Sequence, residues 1–133
     1  MYNAYRRRFL QRILSLPLLS LFAHRAHTQP APAHYLLTQF HVAELAYDTA
    51  RHVIQHLCPG DELCLVAEPT NPHDEFAVEI FYGECRLGYV PRSDNRHLSR
   101  LLQQGATLTC KVLEADPNVT VWNTVRVRVF LTT

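Results

Sequence analysis

The residues best suited to chemistry lie in a short loop, residues 68–74, which reads Glu-Pro-Thr-Asn-Pro-His-Asp. The two prolines remove backbone donors and restrict the residues before them, so this segment is neither helix nor central strand. Asn71, His73 and Asp74 then have few rotatable bonds, which indicates a preorganised hydrogen-bonding site for a hydroxyl-bearing ligand. Asp74 is the first candidate for that contact and His73 the second. The alternative is architectural, because Asn and Asp side chains also bond their own backbone in turns.

Two histidines are the best candidates for metal ligation. His52 and His56 have the i, i+4 spacing that places two imidazoles on one helix face. Glu44, Asp48 or Cys58 would have to supply a third ligand. Because the chain has no Cys-x-x-Cys and no His-Glu-x-x-His motif, a pair of exposed surface histidines is favoured. We therefore expect no cofactor, with a divalent metal such as zinc as the alternative.

Motifs for catalysis are missing from the sequence. There is no Gly-rich phosphate loop and no Gly-x-Ser-x-Gly, and the acidic residues are scattered. Three of the four cysteines, Cys64, Cys85 and Cys110, lie in predicted strands, where burial as small hydrophobic residues is expected. With Cys58 near a turn, we expect one disulfide at most. The sequence predicts a protein that binds a ligand without transforming it.

Basic residues are distributed unevenly along the chain. Five of the 13 lie in residues 1–33, whereas all 12 acidic residues follow, so residues 34–133 carry a formal net charge of −4. An acidic domain has little capacity to neutralise phosphates, which dominate non-specific affinity for nucleic acids. Two local groups of arginines could still contact phosphates. They are Arg92, Arg96 and Arg100, spaced four apart, and Arg126 with Arg128. They indicate either a basic stripe for nucleic acid or an ordinary solvated surface.

Residues 1–33 have the order of an export signal. An arginine pair before Phe and Leu resembles the twin-arginine motif, and an apolar run of 11 residues follows it. The signal residues are Arg6, Arg7, Phe9 and Leu10, with a small-x-small cleavage site at Ala31 and Ala33. Since about 20 apolar residues are needed to span a bilayer, we expect no permanent membrane anchor.

This leader predicts where the protein works. We expect recognition by the twin-arginine translocation machinery, cleavage near His34, and a periplasmic or secreted mature protein. The alternative is a cytoplasmic domain behind a basic N-terminal helix or a misassigned start.

Short strands and two helices must position the loop. A first strand is predicted within residues 38–47, and a helix over 49–57 capped by Asp48 or Thr49. Further strands are predicted over 62–68, 76–82, 85–90, 107–114 and 121–131, with a second helix over 95–104 capped by Ser93 or Asp94. This pattern predicts a mainly β fold, a small OB-like or SH3-like β-barrel of five to six strands with two short peripheral helices. The expected organisation is a signal at 1–33, a linker at 34–39 and a monomeric barrel domain at 40–131.

The middle of the chain resembles the HIRAN domain. The residues that carry the resemblance are Gly60-Asp61 before an alternating strand, the Glu-Pro-Thr-Asn-Pro-His-Asp block at 68–74, Ala77-Val78, and Gly88-Tyr89-Val90-Pro91. The similarity extends over residues 40–131. It implies a compact β-barrel related to OB-like folds. Helicase-linked members of the family bind single-stranded DNA and hold its free 3′-hydroxyl in a pocket, so the resemblance also implies this function.

The resemblance implies roles for individual residues. His73 and Asp74 match a Tyr-Asp pair whose Asp accepts a hydrogen bond from the terminal hydroxyl, and Tyr47 matches a stacking aromatic at the end of the first strand. Ala46 stands where the DNA-binding members have an arginine. We therefore predict a nucleic-acid-binding module whose contacts are Tyr47, Asn71, His73, Asp74, Arg92 and Arg96. The alternative is an exported, non-catalytic interaction module that recognises a protein or a hydroxyl-bearing small ligand.

Overall fold

The described part of the chain contains six strands and two helices. The computed structural model describes residues 28–119 and 124–133, and the export motif predicted at Arg6, Arg7, Phe9 and Leu10 lies outside these residues. In chain order the elements are β1 (His34–His41), α1 (Tyr47–Ile54), β2 (Glu62–Ala67), β3 (Val78–Tyr82), β4 (Cys85–Tyr89), α2 (Arg92–Gln103), β5 (Thr107–Ala115) and β6 (Val125–Thr132). Neither helix in these ranges is long and apolar enough to cross a membrane.

All six strands belong to one antiparallel sheet in the order β1-β6-β5-β2-β3-β4. The residues after β1 close this sheet. The Val42 N–H donates to the Val125 carbonyl of the neighbouring β6, and Ala43 exchanges two backbone hydrogen bonds with Tyr89 of β4, at the opposite edge. Gly88 permits this closure, since a Cβ there would lie 2.5 Å from the Ala43 carbonyl oxygen. The predicted fold class, a mainly β barrel with two helices, is confirmed.

Alternating apolar residues fill the barrel. On β6, Val125, Val127 and Val129 are buried while Arg126 and Arg128 face outward, as the sequence alternation predicted. The other elements contribute further fully buried side chains, among them Ile54, Val78, Ile80, Leu87 and Cys110. Each large apolar side chain buried in this way stabilises the fold by about 1.5–3 kcal/mol relative to exposure. The core therefore holds β2 and β3, which flank the loop at 68–74, in fixed positions.

The first strand lies earlier than predicted. β1 begins at His34, so residues 34–39 are strand and not the predicted linker. The cause is pairing with β6, at the far end of the sequence, which supplies the hydrogen-bonding partners of the whole of β1. The strand ends at His41, and Tyr47 is the first residue of α1 instead of the last residue of a strand.

Helix α1 also begins earlier than the predicted range of 49–57. Its N-cap is Ala46, and neither Asp48 nor Thr49 caps it. The Thr49 hydroxyl instead donates to the Ala46 carbonyl at 3.3 Å. Burial of Ala50 and Ile54 against the barrel, rather than a side-chain cap, determines where this helix lies.

Helix α2 begins at Arg92, directly after Pro91, and not at the predicted Ser93 or Asp94 caps. The Pro91 carbonyl accepts hydrogen bonds from the N–H groups of Asp94 and Asn95, both at 3.0 Å. Because proline has a fixed φ and no N–H to satisfy, it is well suited to a helix start. Asp94 lies inside the first turn. Its carboxylate accepts a hydrogen bond from the Thr38 hydroxyl at 2.7 Å, which ties α2 to β1.

Candidate functional site

The loop at 68–74 is held by hydrogen bonds within itself. Asn71 Oδ1 accepts from the backbone N–H groups of His73, at 2.9 Å, and Asp74, at 3.2 Å. Asn71 Nδ2 donates to Glu68 Oε2 at 2.9 Å. Both polar groups of Asn71 are therefore engaged by the loop, in the Asx-turn manner that the architectural interpretation predicts. Asn71 fixes the backbone that presents the next two polar residues.

Asp74 is anchored from the protein side. Its Oδ1 accepts from the Phe76 N–H at 2.9 Å, its Oδ2 accepts from Asn95 Nδ2 at 2.7 Å, and Arg92 Nε lies 3.9 Å from the same oxygen. Asn95 is only 4% exposed, whereas the Asp74 side chain is 22% exposed. Because a carboxylate offers about four acceptor positions, Asp74 retains capacity for a donor that arrives from solvent.

A cavity of about 400 Å³ opens beside Asp74. Its walls come from the loop, from Ala43 and Glu44 where the barrel closes onto β4, and from the junction of β4 with α2. The lining residues are Ala43, Glu44, Asn71, His73, Asp74, Ala77, Tyr89, Val90, Arg92 and Asn95. This volume lies within the range of small-ligand sites, so one nucleotide or a sugar fits.

The wall of this cavity carries more carboxylates than guanidinium groups. Glu44 and Asp74 contribute two carboxylates to its wall, and Arg92 contributes one guanidinium. Glu44 also has a positive φ of 48°, a conformation that is uncommon for a residue with a side chain and that often marks functional sites. Because an anionic group close to two carboxylates is repelled, the cavity favours a neutral donor such as a hydroxyl at the Asp74 end.

Glu68 and Glu79 form a carboxyl pair at the base of the loop. A hydrogen bond from Glu79, followed by one from Asn71, holds the pKa of Glu68 below its ordinary value of 4.5. Burial, followed by the neighbouring Glu68, raises the pKa of Glu79. Glu79 therefore binds its proton more tightly than an isolated glutamate does, whereas Glu68 releases its proton more readily. This pair fastens the start of the loop to β3.

Arg86 and Tyr89 extend this network along β4. Arg86 Nη1 donates to the Tyr89 hydroxyl at 3.0 Å and lies 4.0 Å from the Glu79 carboxylate. Burial, ahead of the Glu68 charge, raises the pKa of Tyr89. Tyr89 also lines the cavity, so the network connects the base of the loop to the cavity wall.

A second cavity, of about 290 Å³, adjoins the first. The two share the lining residues His73, Asp74, Arg92 and Asn95. The second adds Phe76 and Arg96. The guanidinium carbons of Arg96 and Arg100 lie 4.8 and 5.5 Å from the centroid of the Phe76 ring, a cation–π arrangement. Arg96 and Arg100 therefore lie on one face of α2, as their spacing predicted.

Comparison with known proteins shows which domain this fold represents. The HIRAN domain matches residues 35–133 of this chain. The chain belongs to the HIRAN family. Among curated proteins, none matches this sequence. The match begins in β1 and includes every other element of the HIRAN barrel described above.

Two solved structures are similar to this HIRAN domain. The crystal structure of a protein from Lactobacillus plantarum has a TM-score of 0.66 at 22% identity, covering 77% of this chain and 98% of that chain. The crystal structure of the HIRAN domain of human HLTF has a TM-score of 0.61 at 18% identity, covering 78% of this chain and 81% of that chain. At these identities the likeness concerns the fold.

The HIRAN barrel brings together most of the side chains that the sequence singled out. The predicted residues that line the first cavity are Asn71, His73, Asp74 and Arg92, and Arg96 lines the second. Tyr47 lines neither, because it begins α1 and lies under the Arg51 guanidinium, 5.8 Å from its ring centroid. The expectation that Tyr47 ends the first strand is therefore wrong.

Sequence reasoning missed Asn95 and Tyr89 as site residues. Asn95 lies on the stripe of α2 that includes Leu98 and Leu102, and a polar residue in an apolar stripe is a signal that it must satisfy a buried partner. Tyr89 was recognised as part of a strand and of the Gly-Tyr-Val-Pro segment that carries the HIRAN resemblance, but not as a site residue.

The cysteines of the HIRAN domain are free thiols. Cys64 is exposed and not buried as predicted, because β2 turns Leu63 and Leu65 into the core and Cys64 outward. Cys110 is buried, and this burial, with a smaller effect of Cys64, raises the pKa of its thiol to about 12. A thiol with so high a pKa is a poor nucleophile at neutral pH.

Within residues 28–119 and 124–133, the histidine pair His52 and His56 is not part of an assembled metal site. No group of three His, Cys, Asp or Glu side chains there is arranged to hold a metal ion. His52 and His56 are both exposed on α1 and the turn after it. The Nδ1 of His56 lies 2.6 Å from the His52 carbonyl oxygen, so one imidazole nitrogen is engaged by the backbone.

Proposed function

We propose that this chain is a nucleic-acid-binding HIRAN module that reads the 3′-hydroxyl end of single-stranded DNA. The observation that carries the proposal is the Asp74 carboxylate, which Phe76 and Asn95 anchor at the wall of a cavity large enough for one nucleotide. A terminal hydroxyl donates a hydrogen bond to the free acceptor positions of Asp74. Family membership supports the general binding function.

The charge of the cavity supports selection of a hydroxyl over a phosphate at the strand end. A terminal phosphate would bring about two negative charges close to Asp74 and Glu44, whereas a hydroxyl is neutral and donates. Arg92 lies 3.9 Å from Asp74, where its guanidinium is within reach of the phosphate that links the last two nucleotides. The cavity thus repels a charged end and attracts the charged linkage behind it.

His73 supplies an aromatic face beside the same cavity. It is exposed, lines both cavities, and has its backbone N–H bonded to Asn71. Bases of single strands stack on such faces without sequence preference, and each stack contributes about 1–3 kcal/mol. We assign His73 to stacking on a terminal base.

Affinity should be modest and sensitive to salt. Residues 34–133 carry a formal charge of −4, so only the local arginines oppose general repulsion of DNA. The same acidity favours a second candidate, an interaction module for a protein or a neutral hydroxyl-bearing ligand that uses the same cavity. Export of the chain stays a prediction, and it bears on which ligand the protein meets.

The proposal is tested by fluorescence anisotropy with 5′-labelled oligonucleotides at low salt. Strands that end in a 3′-hydroxyl should bind at least about tenfold more tightly than the same strands with a 3′-phosphate, the effect of one charge-assisted hydrogen bond. Equal affinity for both ends contradicts end reading. No binding of either strand contradicts the nucleic-acid function and favours the second candidate.

A further inference from the structure

The face of α2 that carries Arg96 and Arg100 has a feature that end reading does not require. The two guanidinium groups, one helical turn apart, lie over the same ring, that of Phe76, at 4.8 and 5.5 Å. Two like charges so close together repel each other. In the described ranges neither forms an ion pair with a carboxylate, whereas the first arginine of the stripe, Arg92, lies against Asp74.

Stacking leaves the donors of these arginines free. A guanidinium over an aromatic face uses its π surface for that contact and keeps its N–H edges for oxygen acceptors. Arg96 and Arg100 are both exposed, whereas Phe76 beneath them is half-buried. Planar, preorganised N–H pairs of this kind suit phosphate oxygens.

This cluster is continuous with the end-binding cavity. The second cavity, lined by Phe76 and Arg96, shares Asp74 and Arg92 with the first. A strand whose last nucleotide occupies the first cavity therefore continues past Arg92 toward Phe76. Arg100 lies one turn further along α2.

We propose that Phe76, Arg96 and Arg100 form a second subsite that binds the phosphodiester backbone upstream of the strand end. The inference rests on the proposed function and adds a direction: the strand leaves the cavity along α2. Its ligand is the phosphate backbone, without regard to base sequence. Arg96 and Arg100 bind phosphates two and three positions from the end, and Phe76 holds both guanidinium groups in place.

The experiment measures the affinity of the full chain for 5′-labelled oligo-dT with a 3′-hydroxyl, from two to eight nucleotides long. In the unsubstituted protein, affinity should rise with length until the strand reaches Arg100 and then level off. In the R96Q/R100Q variant this gain should disappear, with about a tenfold loss per arginine for the longer strands. The slope of log affinity against log salt should fall by about 1.4, corresponding to two phosphates of a single strand.

A matched control removes the same charge elsewhere. R126Q/R128Q eliminates two arginines from the outer face of β6, where Arg126 pairs with Glu114 at 3.7 Å and Arg128 bonds Gln39 at 3.5 Å. It should retain the length dependence. An equal loss in both variants means that general surface charge is responsible and overturns the subsite.

A charge-retaining variant tests the stacking itself. R96K/R100K should keep most of the salt dependence but recover only part of the affinity, because lysine lacks the planar fork. These measurements distinguish failure of the backbone subsite from failure of the proposed nucleic-acid function. If the 3′-hydroxyl preference persists while strand length has no effect, the subsite alone is contradicted. If no oligonucleotide binds, the proposed function is contradicted with it.

Discussion

The loop at 68–74 has a carboxyl group near each end, and the two are in opposite situations. Asp74 is surrounded by donors from Phe76 and Asn95 and is open to a cavity. Glu68, at the other end, accepts a hydrogen bond from Asn71 and neighbours Glu79, whose pKa is raised by burial. The first arrangement leaves acceptor capacity for a ligand, whereas the second uses its capacity within the protein.

The different partners of the two carboxyl groups explain how one loop is both rigid and able to bind a ligand. The hydrogen bonds of Glu68 and Asn71 fix the backbone, so Asp74 needs no ligand to hold its orientation. Preorganisation of this kind lowers the entropic cost of binding. Substitutions at the Asp74 end should therefore change binding, and substitutions at the Glu68 end should change stability.

The largest effect is expected for Asp74→Ala. Removing the acceptor should weaken binding of 3′-hydroxyl strands about 10- to 100-fold, since hydrogen bonds to charged groups contribute about 1.5–3 kcal/mol. The control is Asp116→Ala, because Asp116 makes the same kind of side-chain bond to backbone, to the Asn118 N–H at 2.9 Å, in an exposed turn. If D74A binds as tightly as D116A, Asp74 is not the ligand contact, provided that thermal melting shows D74A folded.

A smaller effect is expected for Asn95→Ala. The buried amide orients Asp74 through a 2.7 Å hydrogen bond, and water can replace it in part because Asp74 is partly exposed. We expect a loss of about 1 kcal/mol in the free energy of unfolding and about fivefold in affinity. Asn118→Ala, in the exposed turn, is the control. Unchanged affinity in N95A would show that Asp74 keeps its orientation without this donor.

The smallest effect, and one confined to stability, is expected for Glu79→Gln. A raised pKa means that folded Glu79 binds its proton more tightly than the unfolded chain does, so its contribution is complete below pH 4.5 and is lost as the pH rises. Glutamine cannot ionise and avoids that loss. The stability of E79Q relative to the unsubstituted protein should therefore increase as the pH rises above 4.5.

Thermal unfolding across this pH range, with Glu84→Gln in the exposed hairpin turn as the control, checks the prediction. A difference between E79Q and the unsubstituted protein that stays constant with pH would contradict the raised pKa of Glu79. The DNA affinity of E79Q at neutral pH should stay within about twofold of the unsubstituted protein, because Glu79 does not line either cavity.

Much of the fold could be predicted from local patterns. Strands β2, β3 and β4, the loop between β2 and β3, and the alternation of β6 follow from apolar periodicity and from proline and glycine positions. The position of β1 could not, because its residues are ordered by β6, at the other end of the domain. The helix starts were misplaced because tertiary burial and Pro91, rather than Ser or Asp caps, determine them.

The site could be predicted only where its residues are close together in the sequence. Asn71, His73 and Asp74 are adjacent in sequence and stay adjacent in space, and Arg92 and Arg96 share a helix with the residue that anchors Asp74. Asn95 and Glu44 reach the cavity only through the packing of α2 and the closure of the barrel, which single-sequence patterns do not encode. Tyr47 was misassigned because the end of β1 was misplaced.

The most direct test of end reading is a double-mutant cycle between Asp74 and one oxygen atom of the ligand. Affinities of the unsubstituted protein and D74A are measured for strands that end in a 3′-hydroxyl or a 3′-deoxy sugar, which differ only in that oxygen. If Asp74 binds the terminal hydroxyl, that hydroxyl should improve binding about tenfold or more in the unsubstituted protein and have no effect in D74A. An equal benefit of the hydroxyl in both proteins would contradict it.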